Sequence, residues 1–268
     1  MRAVFLKAGC CVAVAGFFVF SHLANGLQLE LAAGQDRWLY KEFSLIGSEL
    51  DREQGWLPVL ALATTHELLP EHSLELTFQR SAGPLQYRGS TQNGQTLATG
   101  TQETEFELSA VWQWQLLDHW SLDAGLSQWR WFRDIQATAI TQALSERYDS
   151  YGPLLGLRYQ RGLANVHVEV SAHYQYWTGA NMRMDLRAQG YGYVDIPMPD
   201  GRAFKAVIQL TKPLSRQWDM GFEYQLSWRT FPWSDDVAAS NGFRTIYLAE
   251  PESEDFRHGY RLLFRRHW

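Results

Sequence analysis

Apolar and polar residues alternate with a period of two through most of the chain beyond its first 26 residues, and this pattern limits the fold more than any other feature. Between Val166 and Tyr176, one face holds Val166, Val168, Val170, Ala172, Tyr174 and Tyr176, and the other holds His167, Glu169, Ser171, His173 and Gln175. Between Trp218 and Trp228, Trp218, Met220, Phe222, Tyr224, Leu226 and Trp228 stand against Asp219, Gly221, Glu223, Gln225 and Ser227. Phe106 to Leu116 repeats the arrangement. Side chains alternate across a strand, so each run is a strand with one apolar face.

Soluble sandwiches also alternate, and two further features separate this chain from them. The apolar face of Trp218–Trp228 begins and ends with Trp. Ten residues at about 3.3 Å each, tilted near 45°, rise roughly 23 Å, close to the apolar band of a membrane-spanning barrel. Trp at both ends suits the two lipid–water interfaces, because indole is apolar with one polar edge. The connections also alternate in length. Strands are expected at 27–45, 55–66, 71–82, 102–117, 120–134, 148–160, 164–178, 203–213, 217–231 and 256–268. Tight turns are expected near His66–Pro70, Leu117–His119, Arg161–Leu163 and Leu214–Arg216, and long connections over 46–54, 83–101, 135–147, 179–202 and 232–255. Short turns on one side and long loops on the other are the outer-membrane pattern.

The expected fold is therefore all-β: a transmembrane antiparallel up-and-down β-barrel of ten strands, with eight or twelve as alternatives. An even count puts both termini on the periplasmic side. The strand containing Arg37–Phe43 reads with a phase shift near Ala32-Ala33-Gly34.

Residues 1–26 have the form of a secretory signal: Arg2 and Lys7, an apolar run from Ala8 to Leu23, then Ala24-Asn25-Gly26 at the cleavage site. The mature barrel domain is then 27–268. Both cysteines, Cys10 and Cys11, lie in the signal, so no disulfide framework is available. The signal holds two of the 24 basic residues and no acid, leaving 22 against 29 and a net charge of −7. With no basic run, a nucleic-acid partner is not expected. Aromatic residues make up 14% of the chain while its mean hydropathy is −0.31, which suits an apolar outside and a polar inside.

At the C-terminus, Tyr260, Leu262, Phe264 and Trp268 share one face of a last strand. This ending resembles the terminal assembly signal of Gram-negative outer-membrane β-barrel proteins, and the resemblance implies recognition by the barrel-assembly machinery. Arg266 departs from the pattern, since an apolar residue is usual there. In strand number and outer loops the chain is also similar to the omptin proteases, whose chemistry needs an aspartate pair and an Asp–His pair near the outer rim. The connection from Ala82 to Gln102 has no acid, and 179–202 has Asp185, Asp195 and Asp200 but no histidine, so the catalytic pattern does not carry over.

Facing the lumen are Glu75, Glu107, Asp123, Arg158, His167, Glu169, His173, Lys205, Glu223, Arg229, Arg261, Arg265 and His267. A ten-stranded lumen is narrow and both charge signs interleave there, so a polar network is expected around Glu107, His167, Glu169, His173, Glu223, Arg229 and Arg261. His167, Glu169 and His173 have ligand chemistry for a transition metal, but the histidines are about 20 Å apart along a strand. No metal, cofactor or catalytic set is expected. The acidic run Glu250–Asp255 reads as a solvated loop or a divalent-cation site. The functional expectation is a monomeric, non-enzymatic envelope protein. Its outer loops would contact lipopolysaccharide or an external partner. A small-solute pore is the alternative, and an outer-membrane hydrolase a weaker one.

Overall fold

The computed structural model describes residues 26–90 and 95–268; the expected signal lies outside them apart from Gly26. Thirteen strands occur there: β1 Leu27–Phe43, β2 Glu49–Leu69, β3 His72–Ser90, β4 Thr96–Leu117, β5 Trp120–Ile135, β6 Leu144–Leu163, β7 Val166–Leu186, β8 Gly192–Pro197, β9 Gly201–Pro213, β10 Trp218–Phe231, β11 Val237–Ser240, β12 Thr245–Leu248 and β13 Glu252–His267. Ten of them close a barrel. Strands β1 to β7 pair each with the next, followed by β7–β9, β9–β10 and β10–β13, and β13 returns to β1. Closure runs from Gln28↔His267 to Phe43↔Glu252, antiparallel like every other pair. The three remaining strands lie at the long-loop end. β8 continues the edge of β7 from Asn181 to Leu186, beyond the point where β9 stops, and β11–β12 form a separate hairpin.

The outward faces carry a belt of exposed apolar side chains. Trp218, Met220, Phe222, Tyr224 and Trp228 are all more than 40% exposed, as are Tyr260, Leu262, Phe264 and Trp268. Exposure of this extent is costly in water and matches a lipid-facing wall. The inward faces of the same stretches hold Asp219, Glu223, Gln225, Arg261 and Arg265.

The strands are longer than the periodicity suggests. β2, β4 and β7 reach 21, 22 and 21 residues. At about 3.3 Å per residue and 45° tilt, 22 residues rise roughly 50 Å, about twice the apolar band. Two expected loops are therefore mostly strand. Residues 46–54 shrink to a break at 44–48, and of 83–101 the stretches 83–90 and 96–101 are strand. The reason is an inversion of polarity along each strand. Beyond the belt the outside is wetted and the inside is dry, so Arg37 and Lys41 point out while Trp38 and Tyr40, 1% and 3% exposed, point in. This also corrects the reading of β1, which keeps one phase throughout. Even-numbered residues from Glu30 to Glu42 face inward, and Glu42/Phe43 is the site of the register change against β2.

Candidate functional site

The interior has three tiers. At the tight-turn end is a cavity of about 840 Å³. Its walls include Glu107, His167, Glu169, His173, Glu223 and Arg261. Arg158 is the hub on one side, meeting Glu169 at 2.8 Å, Asp123 at 3.1 Å and Glu75 at 3.3 Å. His173 reaches Asp123 at 2.8 Å. It does so across the side-chain-free position of Gly156, where a Cβ would collide with the imidazole. On the other side Arg261 bridges Glu223 at 3.1 Å and Asp36 at 3.3 Å, and Arg265 meets Glu30 at 2.6 Å. Glu107 accepts a long bond from Gln175, 3.4 Å. His167 lines the cavity with no polar partner among the described residues. His167, Glu169 and His173 share this cavity, but Glu169 turns to Arg158 and His173 to Asp123. No group of three or more His, Cys, Asp or Glu suited to a metal occurs among the described residues.

The middle tier is built on Glu105, which accepts from the Trp129 indole N–H, from Arg257, and from Arg229 at 3.2 Å. Asp255 completes the set with Arg257 at 2.5 Å. The guanidinium of Arg257 lies 3.6 Å from the Trp38 ring centroid, and that of Arg229 lies 4.2 Å from that of Trp129. Arg229 thus belongs to this tier, apart from the other expected network residues. Asp255 stands on the inward face of β13, buried, where the sequence suggested a loop.

The outer tier sits beyond the belt, where the exterior carries Lys41, Arg52, Asp134 and Arg147. Arg133, 2% exposed, is held by Glu53 at 2.6 Å, Glu42 and Glu146 at 2.9 Å, and Asp51 at 3.4 Å. Glu103 accepts from the Trp131 indole at 2.5 Å. Glu250 accepts from the Tyr148 hydroxyl at 3.0 Å and the Tyr40 hydroxyl at 3.4 Å. Six carboxyl groups thus surround one guanidinium in a dry site. Burial, then the neighbouring Asp51 carboxylate, pushes Glu42 up to about 8. Burial, with Glu103 beside it, does the same to Glu53. Glu250 is held well above the usual range by burial and by Glu42 and Glu146. Carboxyl groups crowded in this way retain protons, because ionising all of them would leave charge that one arginine cannot offset.

Around this acid tier packs an aromatic core of Trp38, Trp129, Trp131, Tyr148, Trp177 and Phe231. Trp131 stacks on Tyr148 at 4.5 Å between centroids and Trp129 on Phe231 at 5.7 Å. The β11–β12 hairpin joins it through Ala239, with Ile246 and Leu248 packed alongside. Its base is pinned by Ser234, whose backbone N–H donates to the Glu250 carbonyl and whose hydroxyl accepts from the Glu250 N–H. Glu250 is 3% exposed. The acidic run read as a solvated loop thus begins inside the core.

Sequence reasoning missed the Arg133 tier. A usable signal existed: Glu103, Glu105 and Glu107, and Asp51 with Glu53, repeat at period two and so share a face.

No family model matches the chain, and no curated protein matches it in sequence. Among solved structures it is similar to the outer membrane protease OmpT from Escherichia coli, at 9% identity and a TM-score of 0.56 over 90% of this chain and 96% of that one. The translocator domain of autotransporter NalP from Neisseria meningitidis aligns at 12% identity and a TM-score of 0.49, over 99% of this chain and 100% of that one. At 9% identity the likeness to OmpT is one of fold alone. The chain has the closed, ten-stranded antiparallel fold of the outer-membrane β-barrel proteins.

Proposed function

We propose that this protein is a sealed, non-enzymatic, monomeric barrel of the Gram-negative outer membrane, with its tight-turn end and both termini in the periplasm. Its working surface is then the long-loop end, facing lipopolysaccharide or an external partner. The observation carrying this reading is the tier of Trp, Tyr and paired carboxyl groups packed across the interior beyond the belt. A cavity opens among the tight turns, but ions would have to cross that core to traverse the barrel. Open aqueous channels belong to barrels of about 16–18 strands. OmpT is a protease, but at 9% identity its activity does not transfer, and here the mouth is a filled core. Closure of β1 on β13 leaves no free edge in the ten-stranded wall, among the described residues, to drive association. Tyr260, Leu262 and Phe264, outward on β13, and Trp268 just past its end are the surface offered to the assembly machinery.

Planar-bilayer recording on refolded protein tests the reading. Silence is expected, and reproducible open channels from the wild-type protein would overturn it in favour of a small-solute pore.

A further inference from the structure

A groove of about 370 Å³ indents the outer wall between β5, β6 and β7. Arg130, Arg147 and Arg183 line it together with Gln128, Asp149 and Tyr151. Register places them on one outward patch: Arg130 pairs with Asp149, Asp149 with Asn181, and Arg147 with Arg183. The indentation has a backbone cause. The ladder between β6 and β7 slips between Asp149 and Tyr151, and Gly179 opposite takes a φ of +57°. A Cβ at Gly179 would press on the Tyr151 ring at 2.7 Å, so the bulge needs glycine there.

The groove's charges are incompletely matched. Asp149 accepts from the Nε of Arg130 and, at 2.6 Å, from the Nε of Arg147. One carboxylate thus orients two guanidinium groups, whose terminal amino groups have no hydrogen-bond partner among the described residues. Arg183 is matched by Asp195 at 2.7 Å. Three arginines face two aspartates, leaving one positive charge and two free donor forks. Directly below lie Leu126, Tyr151 and Leu155, each about 60% exposed, at the upper edge of the apolar belt.

We infer that this groove binds a phosphate of lipid A in the outer leaflet. The inference rests on the proposed orientation, which places the groove at outer-leaflet headgroup depth. A phosphate there meets planar donor forks suited to its oxygens, while acyl chains descend over Leu126 and Leu155. Holding both arginines by Nε fixes the forks before the ligand arrives, which reduces the ordering cost of binding.

The test uses protein refolded in detergent without lipopolysaccharide. Its thermal unfolding is titrated with bis-phosphorylated lipid A, lipid A stripped of both phosphates, phosphatidylglycerol and inorganic phosphate. Only bis-phosphorylated lipid A is expected to raise the melting temperature. In Arg130→Gln/Arg147→Gln its midpoint is expected to move by about tenfold or more. Asn181→Trp, which fills the groove and keeps every arginine, is expected to weaken binding as well and serves if the double variant does not fold. Arg52→Gln, on β2 away from the groove, is expected to bind like wild type. Unchanged midpoints in the groove variants, or equal protection by any of the other three probes, would overturn the assignment. A tag inserted at 241–243 and probed on intact cells tests the orientation separately, and bilayer silence tests the sealed barrel.

Discussion

At the scale of single residues, Arg133 is the most demanding position. Among the described residues it carries the only guanidinium contacting Glu42, Asp51, Glu53 and Glu146, and it lies 5.2 Å from the ring centroid of Tyr40 and 5.8 Å from that of Trp131. Removing one partner of a buried ion pair costs about 3–5 kcal/mol, because the remaining charge is left uncompensated. Arg133→Met is therefore expected to destabilise the outer tier by an amount of that order near pH 8. Near pH 5 the loss should be smaller, since the orphaned carboxyl groups can then take up protons. Urea unfolding at the two pH values checks this; equal losses would mean that the acids are not protonating in the folded state.

At the scale of elements, two segments carry distinct loads. Strand β13 closes the barrel by pairing with β1 on one side and β10 on the other. An open edge in lipid leaves backbone groups without partners. Deleting Trp268 or introducing Phe264→Asp should reduce the yield of folded, heat-modifiable protein in cells, and normal yields for both would remove the assembly role from this strand. The loop bearing β11–β12 is tied to the barrel through Glu250. Glu250→Gln keeps an acceptor for the Tyr148 and Tyr40 hydroxyls while removing the ionisation. The variant should match wild type near pH 5 and melt at a higher temperature near pH 9. The sign follows from the raised Glu250: the proton it holds stabilises the fold, and that contribution is lost as pH rises through the folded value.

The whole molecule should share this dependence. Glu42 and Glu53 ionise at an ordinary 4.5 when unfolded but near 8 in the barrel. Between those values the folded state binds more protons than the unfolded one, so stability falls as pH rises through the window. Glu49 beside Arg52 is shifted the opposite way, but that pair is exposed and solvent screening keeps its contribution small. The melting temperature should accordingly decline from about pH 5 to pH 9. A profile that rises across that range would contradict the burial of the acid tier.

Period-two alternation bounded by Trp was sufficient to read the barrel, its ten strands and the outward set Tyr260, Leu262, Phe264 and Trp268, because lipid on one side and a polar lumen on the other impose a fixed contrast at every second residue. The inward placement of Glu107, His167, Glu169, His173, Glu223, Arg229 and Arg261 was legible for the same reason. Which of them meet was not: Arg229 joins Glu105, and Glu169 leaves the histidines for Arg158. Cross-lumen partners depend on strand tilt and closure, which no local pattern encodes. Beyond the belt the contrast reverses, so Trp38 and Tyr40 went inward, and Glu250, far from Tyr40 in the chain, came to rest beside it. Local polarity determined the wall of this protein, and only the tertiary structure decided its closed outer core, because that core joins residues of β1, β2, β4, β5, β6, β7 and β10 and a returning loop whose proximity exists only once the barrel is shut.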